Sequence, residues 1–223
     1  MNPIRSVSRC SGPPPRANRQ KLRNAELLPH SPSRYVMSMP LAVPHYTLQD
    51  LESFPDDGYR YELVDGLLLV TPGPAPLHEE IIHRLVERLT TYLAGSGARL
   101  YTRGTVEREP ATHLEPDILV VPKVSRPQRI TAETKWTEFG RPWLVVEVSG
   151  KGSRVYDRDY KLPAYLALEA HEVWRIDLQE GCAFAARQGQ PLERRAEYLA
   201  WHPPGLQEPL VVSIASLFEG TYA

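Results

Sequence analysis

The chain has 223 residues and 42% of them are hydrophobic, which is enough for one well-filled core with a terminal extension. Its formal net charge of -1 conceals an uneven distribution, because residues 1–36 carry seven basic side chains and one acidic one, leaving 19 basic and 26 acidic groups for the rest. This acidic remainder argues against broad, non-specific duplex binding, which depends on phosphate neutralisation, so nucleic acid would have to bind weakly or through a local patch.

The N-terminal stretch is rich in arginine, serine and proline and shows no hydrophobic periodicity. We expect residues 1–40 to form a disordered basic tail. The stretch lacks the apolar segment of a secretory signal, although its composition would also suit a transit peptide. We favour the simpler interpretation that translation starts at Met37 or Met39 and that the preceding residues are upstream sequence.

Two features bear on the cellular compartment. Cys10 and Cys182 are far apart and form no CxxC pair, so the sequence predicts neither a disulfide framework nor a zinc knuckle, and we expect a reducing, cytoplasmic compartment. No apolar run approaches the roughly 18 residues that a membrane span needs, and we therefore expect no membrane partner.

The first elements of the domain have clear local signals. Thr47, with Asp50 three residues later, predicts the start of a short helix. The pair Asp65-Gly66 between two apolar runs predicts a hairpin over residues 59–70. An apolar stripe at helical spacing predicts an amphipathic helix over residues 78–93. The stripe consists of Ile81, Ile82, Leu85, Leu89 and Leu93.

The next elements are strands with polar connections. Residues 99–102 and 105–109 are predicted to pair with each other across Arg103-Gly104, and residues 117–121 form a third strand. The run at 143–148 contains consecutive large hydrophobes, which is typical of a strand covered on both faces.

The C-terminal part completes the domain. A helix is predicted over 157–168, a strand over 171–177, and a hairpin over about 182–187 and 192–199. The whole pattern predicts one α/β domain at residues 44–223, with a mixed β-sheet flanked by helices.

Two of these strands carry a carboxylate at one end. Asp117 leads into one strand, and Glu147 lies near the exit of another. Hard cations such as Mg²⁺ select carboxylate oxygens, so the pair could share one divalent cation and thereby lower the pKa of a bound water. Lys161 on the following helix could orient that water or stabilise developing negative charge. The ordinary alternative is that Asp117 is a turn residue and Glu147 pairs with a neighbouring arginine or lysine.

Other phosphate-binding patterns are weaker. Gly150-Lys151-Gly152-Ser153 lacks the first glycine of a phosphate-binding loop, because that position is Val145, and we reject a nucleotide-binding P-loop. Neither a GxSxG nor an HExxH motif occurs. Arg154, Arg158 and Lys161 share one helical face, which could grip phosphates or be a solvated surface.

Several segments follow one another in a recognisable order. In chain order they are Tyr61-Glu62-Leu63-Val64-Asp65-Gly66, His78 at the start of a helix, Pro116-Asp117-Ile118-Leu119-Val120, Leu144-Val145-Val146-Glu147-Val148-Ser149, Asp157 with Lys161 and Tyr165, and Glu172-Val173-Trp174-Arg175-Ile176-Asp177. Over about residues 44–200 this set resembles the Uma-type "putative restriction endonuclease" family, a branch of the PD-(D/E)XK nuclease superfamily. The resemblance implies a restriction-endonuclease-like sheet flanked by helices, with divalent-metal-dependent DNA cleavage as the activity.

The resemblance also implies roles for individual residues. Asp117 and Glu147 correspond to metal ligands and Glu62 to an additional acid, and the cation would be Mg²⁺ or Mn²⁺. The lysine expected two residues after the glutamate is absent, and Lys161 on the following helix would take its place. The turn after the glutamate departs from the family's Leu-Ser-Pro-Ser type of segment, which makes Lys151 a rival for the lysine role.

These inferences lead to one expected function and leave alternatives open. We expect a Mg²⁺-dependent endonuclease that hydrolyses DNA phosphodiester bonds by metal-activated water, with Asp117, Glu147 and Glu62 holding the cation and Lys161 assisting. The alternative is a non-catalytic nucleic-acid-binding or assembly module that keeps the nuclease fold, and a third is a nuclease that acts only within a larger complex. A homodimer would suit double-strand cleavage, but the sequence decides neither the oligomeric state nor DNA against RNA.

Overall fold

The computed structural model describes residues 43–221, and the tail expected at residues 1–40 lies outside this range. Within it, the strands form sheets of six, four and two strands, and helices flank the largest of them. The predicted α/β class with a mixed sheet is therefore confirmed. No helix in this part of the chain is long and apolar enough to cross a membrane.

Two helices confirm the predicted helical patterns. α1 (Leu48–Leu51) begins after Thr47, whose hydroxyl accepts a hydrogen bond from the Asp50 N–H. α2 (Pro76–Tyr92) begins two residues earlier than predicted, because a proline is well suited to the first turn, where its missing N–H is not needed. The apolar stripe of α2 packs in the main core and buries Ile81, Ile82, Leu85 and Leu89.

The predicted hairpin consists of β1 (Arg60–Val64) and β2 (Leu67–Thr71). Asp65 and Gly66 both have positive φ angles, 45° and 83°, which fit a two-residue turn between right-twisted strands. A Cβ atom on Gly66 would lie 2.3 Å from the imidazole of His45. This position therefore needs glycine both for its φ angle and for the space that it leaves.

We expect Gly66→Ala to destabilise the fold by more than its φ angle alone explains. Gly58 has nearly the same φ, 84°, but a Cβ there would meet no atom of the described residues within 4 Å. Gly58→Ala is the matched control and should cost about 1–2 kcal/mol, while Gly66→Ala must also displace His45 and should cost at least about 1 kcal/mol more. Urea denaturation of the two variants and the parent measures this difference, and equal losses would contradict the packing argument.

The remaining strands run through all three sheets. In chain order they are β3 (Arg99–Thr102), β4 (Val106–Arg108), β5 (Thr112–Leu114), β6 (Ile118–Val121), β7 (Leu144–Ser149), β8 (Glu172–Asp177), β9 (Cys182–Ala186), β10 (Glu193–Arg195), β11 (Tyr198–Trp201) and β12 (Leu210–Ser213).

The six-stranded sheet has the order β10-β9-β8-β7-β6-β3. Its strands β7 and β8 are parallel and its other neighbours are antiparallel, so the sheet is mixed as predicted. All six residues of β7 are buried. Val146 belongs to the core beneath α2, and Val145 belongs to a second core that contains Tyr165. The strand is therefore covered on both faces, as its run of hydrophobes indicated.

The predicted pairing of residues 99–102 with 105–109 is wrong. β3 pairs with β6, whereas β4 pairs with β5 in the four-stranded sheet of order β2-β1-β5-β4. Arg103 has a positive φ of 54°, and a Cβ on Gly104 would lie 3.0 Å from Leu119. The chain thus passes between two sheets at this point instead of folding back on itself. Alternating side chains identify a strand but do not name its partner.

The connection between the parallel strands β7 and β8 carries the helix that was predicted at 157–168. It consists of α3 (Arg154–Tyr156), a π-helical turn (Asp157–Lys161) and α4 (Leu162–Ala167). The N–H of Leu162 donates to the carbonyl of Asp157, five residues back, which defines the wide turn. Such turns inside α-helices are frequent at functional sites, and both end residues of this one are buried.

The predicted second strand of the last hairpin, at 192–199, is too long. β10 ends at Arg195, and the chain then forms a separate hairpin of β11 with β12. Leu199 and Trp201 of β11 are buried in the core beneath α2, which fixes this hairpin on the domain. A final short helix, α5 (Ile214–Leu217), follows β12 directly.

Candidate active site

Three carboxylates predicted for the site lie on three different strands or strand ends. Glu62 lies in the middle of β1, Asp117 directly precedes β6, and Glu147 is the fourth residue of β7. Since Ile118 pairs with Val146 in antiparallel register, Asp117 and Glu147 are neighbours across the two strands. Each of the three residues is at most 2% exposed, so water does little to compensate their charge.

Lys161 connects two of these carboxylates. Its Nζ atom lies 2.8 Å from Oε1 of Glu62 and 2.8 Å from Oε1 of Glu147. A third carboxylate, that of Asp157 four residues earlier, lies 3.8 Å away. Burial alone would lower the pKa of Lys161, but these three acids together raise it above its ordinary value. The side chain is therefore a permanent ammonium in the interior.

Glu147 accepts two contacts on the same oxygen. The hydroxyl of Tyr165 on α4 donates to Oε1 at 2.5 Å, and Lys161 contacts that oxygen as well. Burial raises the pKa of Glu147 well above its usual range, and the nearby carboxylates raise it further, although Lys161 acts in the opposite direction. A neighbouring cation would therefore favour the ionised form of Glu147, and its second oxygen, Oε2, is the atom that could accept one.

Asp117 is oriented by three donors from different elements. Its Oδ2 accepts the backbone N–H of Val148 at 2.8 Å and lies 3.1 Å from Nε2 of His78, in the first turns of α2. Its Oδ1 has the longest contact, 3.3 Å from Nη1 of Arg60. Burial raises the pKa of Asp117, but His78, Arg60 and Lys161 outweigh it and hold the pKa below its usual range. These contacts therefore favour the ionised form of Asp117.

A cavity of about 280 Å³ opens in front of these groups. It is bounded on one side by the segment Pro72–Ala75 and on the other by the loop after β7. Four carboxylates line it, together with two buried or half-buried cations, a histidine and one exposed lysine. The lining side chains are Arg60, Glu62, His78, Asp117, Glu147, Lys151, Asp157 and Lys161.

The two candidate lysines have different environments. Lys161 contacts the carboxylates directly, whereas Lys151 is exposed at the rim of the same cavity. The basic face that the sequence suggested does not form: Arg154 binds Asp177 and Arg158 binds its neighbour Asp159, both at 2.6 Å. Of the helix residues considered for phosphate binding, Lys161 is thus the one that faces the carboxylates.

Sequence reasoning gave no site role to several residues that the fold brings here, among them Asp157 and Arg60. Asp157 is buried beside Lys161, and its other oxygen accepts a hydrogen bond from Ser153 at 2.7 Å. Arg60 contacts Asp117 across two strands. Both had a usable signal, because Asp157 precedes Lys161 by one helical turn and Arg60 precedes Glu62 by one strand repeat.

The donors at the cavity fit a hard divalent cation held by a pair of carboxylates. Among the described residues, no group of three or more His, Cys, Asp or Glu side chains is arranged to hold a metal ion. Mg²⁺ is often bound through only one or two carboxylates, with waters and substrate phosphate completing the shell. Oδ1 of Asp117, which has the longest of the contacts to that carboxylate, and Oε2 of Glu147 are the oxygens that could take this role. Both oxygens of Glu62 contact Lys161, so the main role of Glu62 in this structure is to bind the lysine.

Solved structures identify the class of fold. A putative nuclease belonging to DUF820 from Anabaena variabilis superposes with a TM-score of 0.62 at 21% identity, covering 78% of this chain and 97% of that chain. At this identity the likeness shows the fold, which is that of a nuclease-like α/β domain. The sequence matches the Uma2 family, described as "Putative restriction endonuclease", over residues 48–217, and the chain belongs to this family. No curated protein matches the chain.

Proposed function

We propose that the protein is a metal-dependent endonuclease of the PD-(D/E)XK type that hydrolyses phosphodiester bonds in DNA. The observation that carries this proposal is the buried ammonium of Lys161 between the carboxylates of Glu62 and Glu147, beside Asp117, at the wall of an accessible cavity. Such a concentration of buried charge is costly for folding and is typical of a functional site. Membership of the Uma2 family supports nuclease chemistry at this place.

The proposed roles follow from the contacts of each residue. Asp117 and Glu147 would hold Mg²⁺ or Mn²⁺, with Glu62 as the additional acid, and the bound cation would supply a water of lowered pKa. Lys161 keeps Glu62 and Glu147 in position and places a fixed positive charge near the negative charge that develops on the phosphate. Tyr165 orients Glu147 by its short hydrogen bond.

The remaining expectations about the protein's setting belong to the same proposal. DNA is the proposed substrate, and a homodimer would allow both strands to be cut. A cytoplasmic location is expected because the two cysteines are far apart in sequence, and because Cys182 is a buried free thiol.

One observation favours a second candidate function, a non-catalytic nucleic-acid-binding or assembly module. Residues after 36 carry 26 acidic against 19 basic groups, which is unfavourable for binding a polyanion without a cation. Calorimetric titration with Mg²⁺ separates the two candidates. The nuclease requires heat of metal binding that disappears in Asp117→Asn, whereas a binding module does not require uptake at this site.

Cleavage of supercoiled plasmid tests the proposed function. We expect nicked and linear products with Mg²⁺ or Mn²⁺ and none in the presence of a chelator, because the carboxylates need a cation to act on a phosphate. Glu147→Ala and Lys161→Ala, purified in parallel, should give no products. Equal activity in all three preparations would identify a contaminating nuclease and overturn the proposal. A labelled RNA transcribed from the same plasmid, incubated under the same conditions, tests whether the activity is limited to DNA.

A further inference from the structure

Arg60 is the cation at the mouth of the carboxylate cavity. It is the first residue of β1, two positions before Glu62, so the two side chains leave the strand on the same face. Its Nη1 atom donates to Oδ1 of Asp117 at 3.3 Å and to the carbonyl of Glu115 at 3.2 Å. The side chain keeps 19% of its surface exposed and lines the cavity, so Arg60 is held by these contacts but not fully enclosed.

Lys161 is poorly placed to bind the substrate phosphate itself. An ammonium has three N–H donors, and its Nζ already lies near three carboxylates, those of Glu62, Glu147 and Asp157. A guanidinium has five N–H donors in a planar fork that suits a phosphate. Within residues 43–221 the polar contacts of Arg60 involve Nη1 and Nε, so the two N–H groups of Nη2 could serve a ligand. The capacity to bind phosphate therefore lies with the arginine.

Arg60 also lies where the carboxylate cavity joins a larger groove. This groove has a volume of about 910 Å³ and shares Arg60 and the segment Pro72–Pro74 with the cavity. Aromatic side chains line the groove as well: Tyr59 is 55% exposed, and Tyr61 and Phe54 stack on each other with ring centroids 5.1 Å apart. An exposed aromatic ring such as that of Tyr59 can bind an unpaired base by stacking.

The charges of the groove favour a local contact over a long duplex. Arg103, which lies 3.8 Å from Glu79, and Lys135 are cations of the groove besides Arg60. Its acids are Glu52, Asp56, Glu107, Glu109 and Glu115. A duplex held along its backbone needs a continuous basic surface, because each phosphate contact adds to the affinity. An unpaired strand combines base stacking on an aromatic ring with cationic contacts to its backbone, and Arg60 is placed to supply one such contact at this end of the groove.

We propose that Arg60 is the centre of a binding subsite for a phosphodiester of an unpaired nucleic-acid strand, whose neighbouring bases lie in the groove beside Tyr59 and Tyr61. The subsite deepens the proposed nuclease function and rests on it for the identity of the ligand. It has a second consequence for the metal, because the charge of Arg60 beside Asp117 opposes a divalent cation there. Removing that charge should weaken strand binding and strengthen metal binding.

The binding experiment uses the full chain without divalent metal, so that it does not depend on cleavage. Fluorescence anisotropy measures the affinity for a labelled single-stranded DNA of about 12 nucleotides, for RNA of the same sequence, and for the corresponding duplex. We expect the single strands to bind more tightly than the duplex. Arg60→Gln should weaken single-strand binding at least about tenfold, and Tyr59→Ala should also weaken it. Arg141→Gln, an exposed arginine paired with Glu169, is the matched control and should bind as the parent does.

Calorimetry with Mn²⁺ distinguishes a binding role of Arg60 from a structural one. Arg60→Gln should bind Mn²⁺ several-fold more tightly than the parent, because the competing charge is gone. Arg60→Lys keeps the charge without the fork, so it should bind metal like the parent and the strand less tightly. Circular dichroism checks that each variant is folded.

Several results would overturn the subsite. One is unchanged strand affinity in Arg60→Gln, a second is joint weakening of strand and metal binding in a folded variant, and a third is a duplex bound as tightly as the single strand. Absence of binding by the parent would overturn it as well. If the parent binds the strand through Arg60 but cleaves no nucleic acid with metal added, the nuclease proposal fails and the subsite remains.

Discussion

Lys161→Met should destabilise the domain by about 3–5 kcal/mol at neutral pH, because removal of one partner from a buried ion cluster leaves uncompensated charge. Three carboxylates, those of Glu62, Glu147 and Asp157, contact the ammonium in the native fold. Methionine has nearly the same length and is apolar, so the change removes charge with little change of volume. Urea denaturation at pH 7 measures the loss.

The pH dependence of this variant is a more specific test. Burial already raises the pKa of Glu147 and of Asp157, and Lys161 opposes that rise in both. Without the lysine, the folded-state pKa values rise further above those of the unfolded chain. A group with a raised folded pKa contributes stability that is present at low pH and is lost as pH rises through that pKa. The difference in unfolding free energy between the parent and Lys161→Met should therefore become smaller as the pH is lowered from about 8 to about 5.5.

Lys151→Met is the matched control for both measurements. Lys151 lines the same cavity but is exposed, so its loss should change stability by no more than about 0.5 kcal/mol and should not alter the pH profile. If the two lysine variants are equally stable, the carboxylates around Lys161 are compensated in another way. In that case the electrostatic description of the site is wrong.

Local signals in the sequence were sufficient for individual elements. The Thr47 cap, the Asp65-Gly66 turn and the stripe of α2 each depend on residues close together in the chain, and the structure has all three where they were predicted. The pairing of β3 and β4 failed for the opposite reason. Their partners, β6 and β5, are determined by the packing of the whole domain. The alternation of side chains along a strand specifies only the face on which each side chain lies.

The site shows the same division between local and distant information. Asp117, Glu147 and Lys161 stood out because each follows or precedes a recognisable apolar element, and the fold brings them to one cavity. The contact of Arg60 with Asp117 joins residues 57 positions apart and depends on how the two larger sheets pack. The spacing of Arg60 and Glu62 shows that the two side chains share a face of β1, but it does not show that the sheets bring Arg60 to Asp117, and arginine at the start of a strand is commonly a surface residue.

Glu147→Gln should separate the chemistry of the site from its stability. The amide keeps the shape of the side chain, and its Oε1 can still accept the hydroxyl of Tyr165. It removes the charge that would bind a cation, so the rate of cleavage should fall at least about 1000-fold, which corresponds to about 4 kcal/mol in the barrier. Single-turnover cleavage of plasmid with Mn²⁺ measures this loss. Glu87→Gln, an exposed position on α2, is the control and should cleave normally.

Glu147→Gln should change the stability of the domain in the opposite direction from Lys161→Met. Burial raises the pKa of Glu147 well above its usual range, so its ionised form costs stability, and that cost grows as pH rises through the folded-state pKa. Glutamine does not ionise, so Glu147→Gln should be at least as stable as the parent at pH 7 to 8, as is common where function requires an unfavourable charge. A variant that loses both cleavage and stability would show that Glu147 serves as the counter-ion of Lys161. A variant that keeps cleavage would remove Glu147 from the metal site.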